Sequence, residues 1–428
     1  MAAAVIILFI VLLLIGVPVG AAMGIPAFLY FIINGISLST IPYTFYTNLM
    51  SFSMLSIPLF ILFGLLVNEF GETDRAFEFA RRLMKGQKGY SAKVNVIISL
   101  LFAGMSGAAI ADVGGLGAVE IKAMEEEGYS RAHASALTIA TATVGPIFPP
   151  SIPLLLYCTV AATSSIKQLI SGCIPAVILS ACLFVYVCLT TKKKIVNPPH
   201  HGFFDEKDKV PMSKVALDAL PIVIAPVLII YFMLSGKFTP GETGAAACIY
   251  IIILAIFHKS FSFKKLYNAS METLKSCGTM MIMSVTGVLF STVMVLEKVP
   301  AKLIMLLGPV AENKIAVLIL VNVVLLFLGM LMESNAAMFM IAPIILAITT
   351  PLGIDPIQMG VIIVYNLMIG LSTPPYGLCI FTVAKVGRVD PGAVIREVMP
   401  MWIPMLITLL AVTFIPQVTL WLPTVLFG

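Results

Sequence analysis

Two segments of this 428-residue chain interrupt apolar runs with a glycine and a proline pair: Gly145-Pro146-Ile147-Phe148-Pro149-Pro150-Ser151 and Gly370-Leu371-Ser372-Thr373-Pro374-Pro375-Tyr376-Gly377. A proline pair removes two backbone donors and disfavours helix at the residue before it. A helix entering either segment must unwind, freeing carbonyl oxygens. The two breaks are in register. Gly104 matches Gly329, each followed by Met; Gly128 matches Gly353, Gly145 matches Gly370, and Pro149 and Pro150 match Pro374 and Pro375, all at an offset of 225 residues. Matches at one fixed offset mark an internal repeat.

The surroundings of the breaks decide the class. The chain is 60% hydrophobic and 11% charged, with mean hydropathy +1.05. A soluble domain needs far more charge on its surface. Apolar runs at 3–33, 53–70, 170–191, 216–235, 271–296 and 398–425 are of membrane-spanning length. The expected fold is an all-α polytopic membrane protein whose main surroundings are the lipid bilayer. The run beginning at Met1 lacks a positive leader and continues through Phe31 and Ile33, so it reads as a retained span and not a signal peptide. The net charge of +5 reflects where the loops sit, not a nucleic-acid partner. Seven scattered cysteines without CxxC spacing indicate neither a metal cluster nor a disulfide framework.

Basic residues set the topology. They gather in 71–93, 192–215, around Lys259, Lys264 and Lys265, and around Lys385, Arg388 and Arg396, while 34–52 and 351–356 carry none. The positive-inside rule places the rich loops in the cytoplasm. If 94–120 were an ordinary span, the 192–215 loop would fall outside. A re-entrant hairpin over 94–120 entering from the cytoplasm, and one over 315–350 entering from the opposite side, correct this. All 26 Lys and Arg then lie inside except Lys167, Lys237, Lys298, Lys302 and Lys314. The repeat is therefore expected to be inverted. Its first copy spans 1–191 with a broken helix at 134–164, 192–215 is a cytoplasmic linker, and the second copy spans 216–428 with a broken helix at 357–386. Residues 72–90 place Phe77, Ala80 and Met84 at helical spacing among Arg81, Arg82 and Lys85, which suits an amphipathic interfacial helix or a solvated loop helix.

Inverted repeats with matched Gly/Pro-interrupted segments point to a secondary transporter. Irregular backbone at membrane depth survives only where it is buried in protein or lines a cavity. Unwound carbonyls with hydroxyls and amides suit a small hard cation such as Na⁺, and half-helix N-termini suit an anion. Each hairpin tip pairs with its own break. Ser106 and Gly107 with Gly145 and Ser151 form one candidate ion site; Ser334 and Asn335 with Gly370, Ser372 and Thr373 form the other. Pro149, Pro150, Pro374 and Pro375 are substrate or coupling candidates. Asp112 and Glu333 are the carboxylates deepest in the hairpins. An acid at the bilayer centre costs about 2.5–3.5 kcal/mol, which makes both candidates for substrate or proton coupling; for Asp112 the sequence leaves open a tip-orienting role, a proton carrier or a solvated place nearer the interface. Asn366, one turn before its break, is a second-shell ligand or a helix-packing amide.

The stretches SIPLFILFG at 56–64, GMSGAAIAD at 104–112, GPIFPPSIP at 145–153, FTPGETGAA at 238–246, and GIDPIQMG with NLMIGLSTPPYG within 353–377 resemble the large membrane (M) subunit of TRAP (tripartite ATP-independent periplasmic) transporters. The resemblance runs over nearly the whole chain. It implies Na⁺-coupled uptake of an organic acid, of sialic acid or dicarboxylate type, at two or more Na⁺ sites across a bacterial inner membrane. It also implies a periplasmic substrate-binding protein (P type), a small four-helix membrane subunit (Q type), and an elevator-type ion-transporter fold. Gly107 and Ala108 follow Ser106 where many members carry a further hydroxyl, which shifts the expected ligation toward backbone carbonyls. The chain stops at Gly428 without a four-helix segment, so the small subunit is expected as a separate polypeptide.

Two other readings stay open on the sequence. A stand-alone ion-coupled anion transporter would show the same hairpins and breaks. An intramembrane serine protease would use Gly104-Met105-Ser106-Gly107 as a nucleophile motif, but His133, His200, His201 and His258 all lie in or beside loops, away from the base position this chemistry needs.

Overall fold

The computed structural model describes residues 1–106, 113, 116–196, 210–375 and 377–428. The described residues are helical, with one isolated bridge between Tyr129 and Ile195. Among the described residues seven helical stretches are long and apolar enough to cross a membrane.

The apolar run 3–33 is two helices, α1 (Ala2–Leu14) and α2 (Val19–Ile33), packed side by side. Pro18 supplies no N–H, and Gly16 turns at φ +84°. Helix α3 (Thr40–Leu49) leads into α4 (Phe52–Glu69) and α5 (Glu72–Met84). The first hairpin has legs α6 (Tyr90–Ser106) and α7 (Gly117–Glu127), longer than the expected 94–120. The first broken helix is α8 (Arg131–Ala142) and α9 (Ile152–Ala161), followed by α10 (Ser165–Ser171) and α11 (Cys173–Lys194). The second half runs α12 (Met212–Leu234), α13 (Pro240–Phe257), α14 (Phe263–Leu296) and α15 (Val299–Leu307). The second hairpin is α16 (Lys314–Leu331) and α17 (Ser334–Thr349), and the second broken helix is α18 (Pro356–Leu371) and α19 (Leu378–Gly387). The remainder is α20 (Pro391–Val398), α21 (Trp402–Phe414) and α22 (Gln417–Phe427). The run 398–425 is thus also split, at Ile415-Pro416.

Local chemistry marks the boundaries. Ser130, Ser151 and Asp390 each accept a backbone N–H as N-caps of α8, α9 and α20. Thr239 and Glu242 close a capping box at the start of α13, within the FTPGETGAA motif. Gly128 and Gly353, paired in the repeat, both end a helical leg in the left-handed conformation, at φ +104° and +69°.

The helices sort into two modules. In the first, α2 packs on α14, α13 on α4, and α4 on α14. Close approach is built in: a Cβ on Gly24 of α2 would stand 2.9 Å from Thr286 Cγ2 of α14. The second module holds both hairpins, both broken helices, α10, α11 and α20 to α22. Its core includes Tyr157, Leu137, Met359, Tyr365 and Leu409. Here α8 packs on α19, and α9 packs on α18. The Tyr157 hydroxyl donates to the Pro356 carbonyl at 2.7 Å, joining the end of α9 to the start of α18. At the other end, a Cβ on Gly387 would stand 2.4 Å from Ser135 Oγ, joining the end of α19 to the start of α8. The two broken helices therefore lie antiparallel, the first half of each against the second half of the other.

The base of the first hairpin is polar. Glu127 accepts from the backbone N–H groups of Gly89 (2.7 Å), Tyr90 (3.1 Å) and Ser91 (2.9 Å), and from the Ser91 hydroxyl. One carboxylate from the end of α7 thus caps the start of α6. Burial pushes the neighbouring Tyr129 hydroxyl up to about 12. Glu397 of α20 receives His133 Nδ1 at 2.8 Å and Lys194 Nζ at 2.6 Å, tying α8, α11 and α20 together. Helix α5 is packed against α6 and α12. Its Phe77 is buried, and so is Arg81, whose guanidinium forks onto Glu78 at 2.8 and 3.0 Å. It is therefore a protein-packed amphipathic helix and not a solvated loop helix.

Candidate ion and substrate site

Between α8 and α9 the chain leaves helical geometry over 143–151. The Pro149–Pro150 bond is cis. Ser151 is fully buried; its hydroxyl accepts from Leu154 N at 3.1 Å and donates to the Pro146 carbonyl. The loop lies directly on Gly172, where a Cβ would stand 1.9 Å from the Ile147 carbonyl oxygen. That oxygen is covered by protein. Among the described residues no backbone donor outside regular helix reaches the Gly145 carbonyl.

The second break, 372–377, follows the same plan, and its Pro374–Pro375 bond is also cis. Ser372 and Thr373 are buried, and both hydroxyls donate back to the Ile369 carbonyl, at 2.7 and 2.8 Å. Their single protons are thereby used, and their lone pairs remain as acceptors. The Gly370 carbonyl accepts Thr373 N at 2.9 Å. The breaks differ in exposure. Pro149 and Pro150 are buried, whereas Pro374 is half-buried and Pro375 exposed.

The second hairpin tip is built on this break. Gly329, near the end of α16, packs against Leu367 and Gly370 of α18. Glu333 is the N-cap of α17, its carboxylate accepting Ala336 N at 3.0 Å. This gives the acid a structural task, because a negative cap is favoured at a helix N-terminus. Ser334 and Asn335 follow in the first turn, both buried, and Asn335 Oδ1 has no hydrogen-bond partner. In the first hairpin, Gly107 and Asp112 lie outside the described residues, as does the side chain of Ser106.

One amide network is only half visible in the sequence. Asn322 of α16 donates its Nδ2 to the Leu318 carbonyl at 2.7 Å, which fixes its orientation. Its Oδ1 then receives Asn366 Nδ2 at 2.7 Å and the Thr413 hydroxyl at 3.3 Å. Asn366 Oδ1 is left buried with no partner, one turn before the break. A lone amide inside the apolar stretch 315–332 was the available signal for Asn322.

Among the described residues no three His, Cys, Asp or Glu side chains come together. The second tip and break instead offer hydroxyl lone pairs and an unpartnered buried amide oxygen. Neutral oxygens of this kind are hard donors, unlike the thiolates and imidazoles that hold zinc or copper.

Comparison with known proteins gives a family and relatives. Residues 6–418 match the model of the tripartite ATP-independent periplasmic transporter, DctM component. The chain is 33% identical to the sialic acid TRAP transporter large permease protein SiaM of Vibrio cholerae, over 97% of this chain and 97% of that one. It is 35% identical to the sialic acid TRAP transporter permease protein SiaT of Haemophilus influenzae, over 98% of this chain and 67% of the relative. It is 31% identical to the C4-dicarboxylate TRAP transporter large permease protein DctM of Pseudomonas aeruginosa, over 87% and 86%. Among solved structures, the YdaH transporter of Alcanivorax borkumensis aligns with TM-score 0.59 at 15% identity, covering 87% of this chain and 88% of that one. That likeness concerns the fold alone.

Proposed function

The chain belongs to the DctM family of TRAP transporter large permeases, and on that premise we propose that it takes up an organic acid together with Na⁺ across a bacterial inner membrane. The acid arrives on a periplasmic binding protein, and a small membrane subunit completes the permease. Sialic acid and C4-dicarboxylate are the cargoes named for relatives, and both are carboxylates. As a member of a transporter family the chain is not an enzyme, and Gly104-Met105-Ser106-Gly107 belongs to a transporter hairpin.

One observation carries the mechanism. Although α6 on α11 and α5 on α12 have no comparable mirror among the described residues, several helix contacts inside each module come in repeat-related pairs: α9 on α18 mirrors α19 on α8, and α2 on α14 mirrors α13 on α4. Between the modules they do not. Helix α4 packs on α6 and α9, but α14 packs on α17, with no comparable contact of α14 on α16 or α19 among the described residues. Two bodies with repeat-related inner packing that meet asymmetrically form the pattern expected of one end state of a sliding pair. Exchanging the roles of the repeats describes the opposite end state. This supports an elevator, with the hairpins and breaks as the moving body.

Na⁺ would be held at the tips. Asn335, Ser334, Ser372, Thr373 and the Gly370 carbonyl offer oxygens at the second, and Ser106, Gly107, Gly145 and Ser151 at the first. Bound there, Na⁺ would offset the negative charge of a carboxylate substrate. The test is uptake into proteoliposomes holding both membrane subunits, supplied with the binding protein. Accumulation is expected to need an inward Na⁺ gradient. Asn335→Leu is expected to raise the half-saturating Na⁺ concentration about tenfold, the loss of roughly 1.4 kcal/mol of binding. Accumulation that is indifferent to Na⁺ would remove the coupling claim.

A further inference from the structure

The first hairpin buries a carboxyl that its repeat partner lacks. Glu120 of α7 is 2% exposed, and Asn95 of α6 and Thr138 of α8 are buried beside it. Asn95 Nδ2 donates to Glu120 Oε2 at 3.1 Å and to Thr138 Oγ1 at 3.0 Å, while its Oδ1 receives the Thr141 hydroxyl at 2.7 Å. Ser99 Oγ stands 3.4 Å from Glu120 Oε1. A cavity of about 10 Å³, lined by Ser99, Glu120 and Thr138 with Phe102, Leu116 and Ala142, adjoins the carboxyl. That is the room one water needs, and the wall is polar enough to hold it.

At the 225-residue offset, Asn95, Ser99, Glu120 and Thr138 become Leu320, Val324, Ile345 and Ile363. Of these only Ile345 and Ile363 are buried; Leu320 is half-buried, Val324 is exposed, and Thr141 becomes Asn366. At the position of the buried Glu120 the second half buries the aliphatic Ile345, so the acid calls for a reason beyond filling space.

We propose that Glu120 is a reversible proton-binding site belonging to the first repeat alone. A hydronium in the adjoining cavity passes its proton to Oε1 and leaves a water behind; the reverse transfer releases it. The surrounding groups suit both states. Asn95 donates to the carboxyl on its other oxygen. The Ser99 hydroxyl can donate to the carboxylate or accept from the acid. A metal cation fits less well, because the Asn95 NH₂ already turns both its hydrogens into this cluster. Among the described residues, the ionisable side chains on the elements packed around Glu120 are Tyr90 and Lys93 of α6, Lys122, Glu125, Glu126 and Glu127 of α7, Arg131 and His133 of α8, and Cys379 and Lys385 of α19, with Arg388 just beyond its end. Of these, Lys93 bonds Gln87, Arg131 bonds Glu125, His133 bonds Glu397, and Glu127 caps α6.

The uptake arm of the test rests on the transport reading; the spectroscopic arm reads the carboxyl whatever the cargo. Infrared difference titration of the reconstituted two-subunit complex, from about pH 5 to 9, is expected to show a protonated-carboxyl band that disappears with rising pH. The band should be absent in Glu120→Gln and present in Glu120→Asp. Uptake at a fixed Na⁺ gradient should show a one-proton limb, roughly tenfold per pH unit on its steep side, flattened in Glu120→Gln. Should that variant not assemble, Ser99→Val keeps the acid and removes a donor to its ionised form, so the band's midpoint should move upward by about one pH unit. An unchanged band and pH profile in Glu120→Gln, or an unmoved midpoint in Ser99→Val, overturns the proposal.

Discussion

Gly329 and Gly370 lie face to face: a Cβ on Gly370 would stand 2.5 Å from the Gly329 Cα, and one on Gly329 would stand 3.1 Å from the Gly370 Cα. The hairpin leg α16 thus crosses the broken helix α18 backbone on backbone, beside the break. These are the second members of the repeated pairs Gly104/Gly329 and Gly145/Gly370. The repeat has kept the two sides of one crossing.

Gly370→Ala is therefore expected to push the second tip off its break. Overpacking of this kind costs about 1–3 kcal/mol, and uptake should fall further than the melting temperature suggests. Gly278 is the control. It sits in α14 with nothing within 4 Å of an added Cβ. Gly278→Ala should be neutral or stabilising by up to about 1 kcal/mol. Thermal melts of the two variants in detergent, run beside uptake, check the contrast; equal behaviour would contradict the crossing.

Glu127 supplies a second expectation. One side chain serves three backbone donors and a hydroxyl at the start of α6, so Glu127→Ala leaves several of them unpaired at once. The expected loss is roughly 1.5–3 kcal/mol. Glu272→Ala, by contrast, removes only an exposed partner 3.6 Å from Lys275 and should cost about 0–1 kcal/mol. Denaturant or thermal unfolding of the purified chain decides it. A loss for Glu127→Ala no larger than for Glu272→Ala would mean the hairpin base is held by other contacts.

These residues also show what the sequence could and could not disclose. The breaks at Gly145 and Gly370 were readable because glycine and proline act on their own backbone, with no need of a partner. The split of 3–33 into α1 and α2 was readable in principle from Gly16 and Pro18, but hydropathy alone runs straight through them. Glu127 and Glu120 carried no local signal. Their meaning depends on which leg of a hairpin folds back on which residue 25 to 38 positions away. The hairpin legs reach beyond the expected 94–120 for the same reason: the cap that closes the hairpin at Gly89–Ser91 comes from the far leg. Asn335 and Ser372 were legible as polar residues at a tip and a break, but the spare lone pairs of Ser372 and Thr373 follow only from where their protons go.

The last expectation concerns motion between the modules. Ser53 of α4 and Ser165 of α10 stand with their Oγ atoms 2.6 Å apart, one on each module. If the modules slide, this contact belongs to one end state and must part in every cycle. Cysteines at both positions, Ser53→Cys with Ser165→Cys, replace a breakable hydrogen bond by a disulfide. In a background without the seven native cysteines, oxidation should stop uptake and a reductant should restore it. Neither single variant should respond to oxidant. The geometry is close enough for the bridge, because two hydroxyls in hydrogen-bond contact put their Cβ atoms near the separation a disulfide spans. Uptake that continues after the bridge has formed, as judged by mass spectrometry of the linked peptides, would mean that α4 and α10 do not part during transport. The moving boundary would then have to be drawn elsewhere.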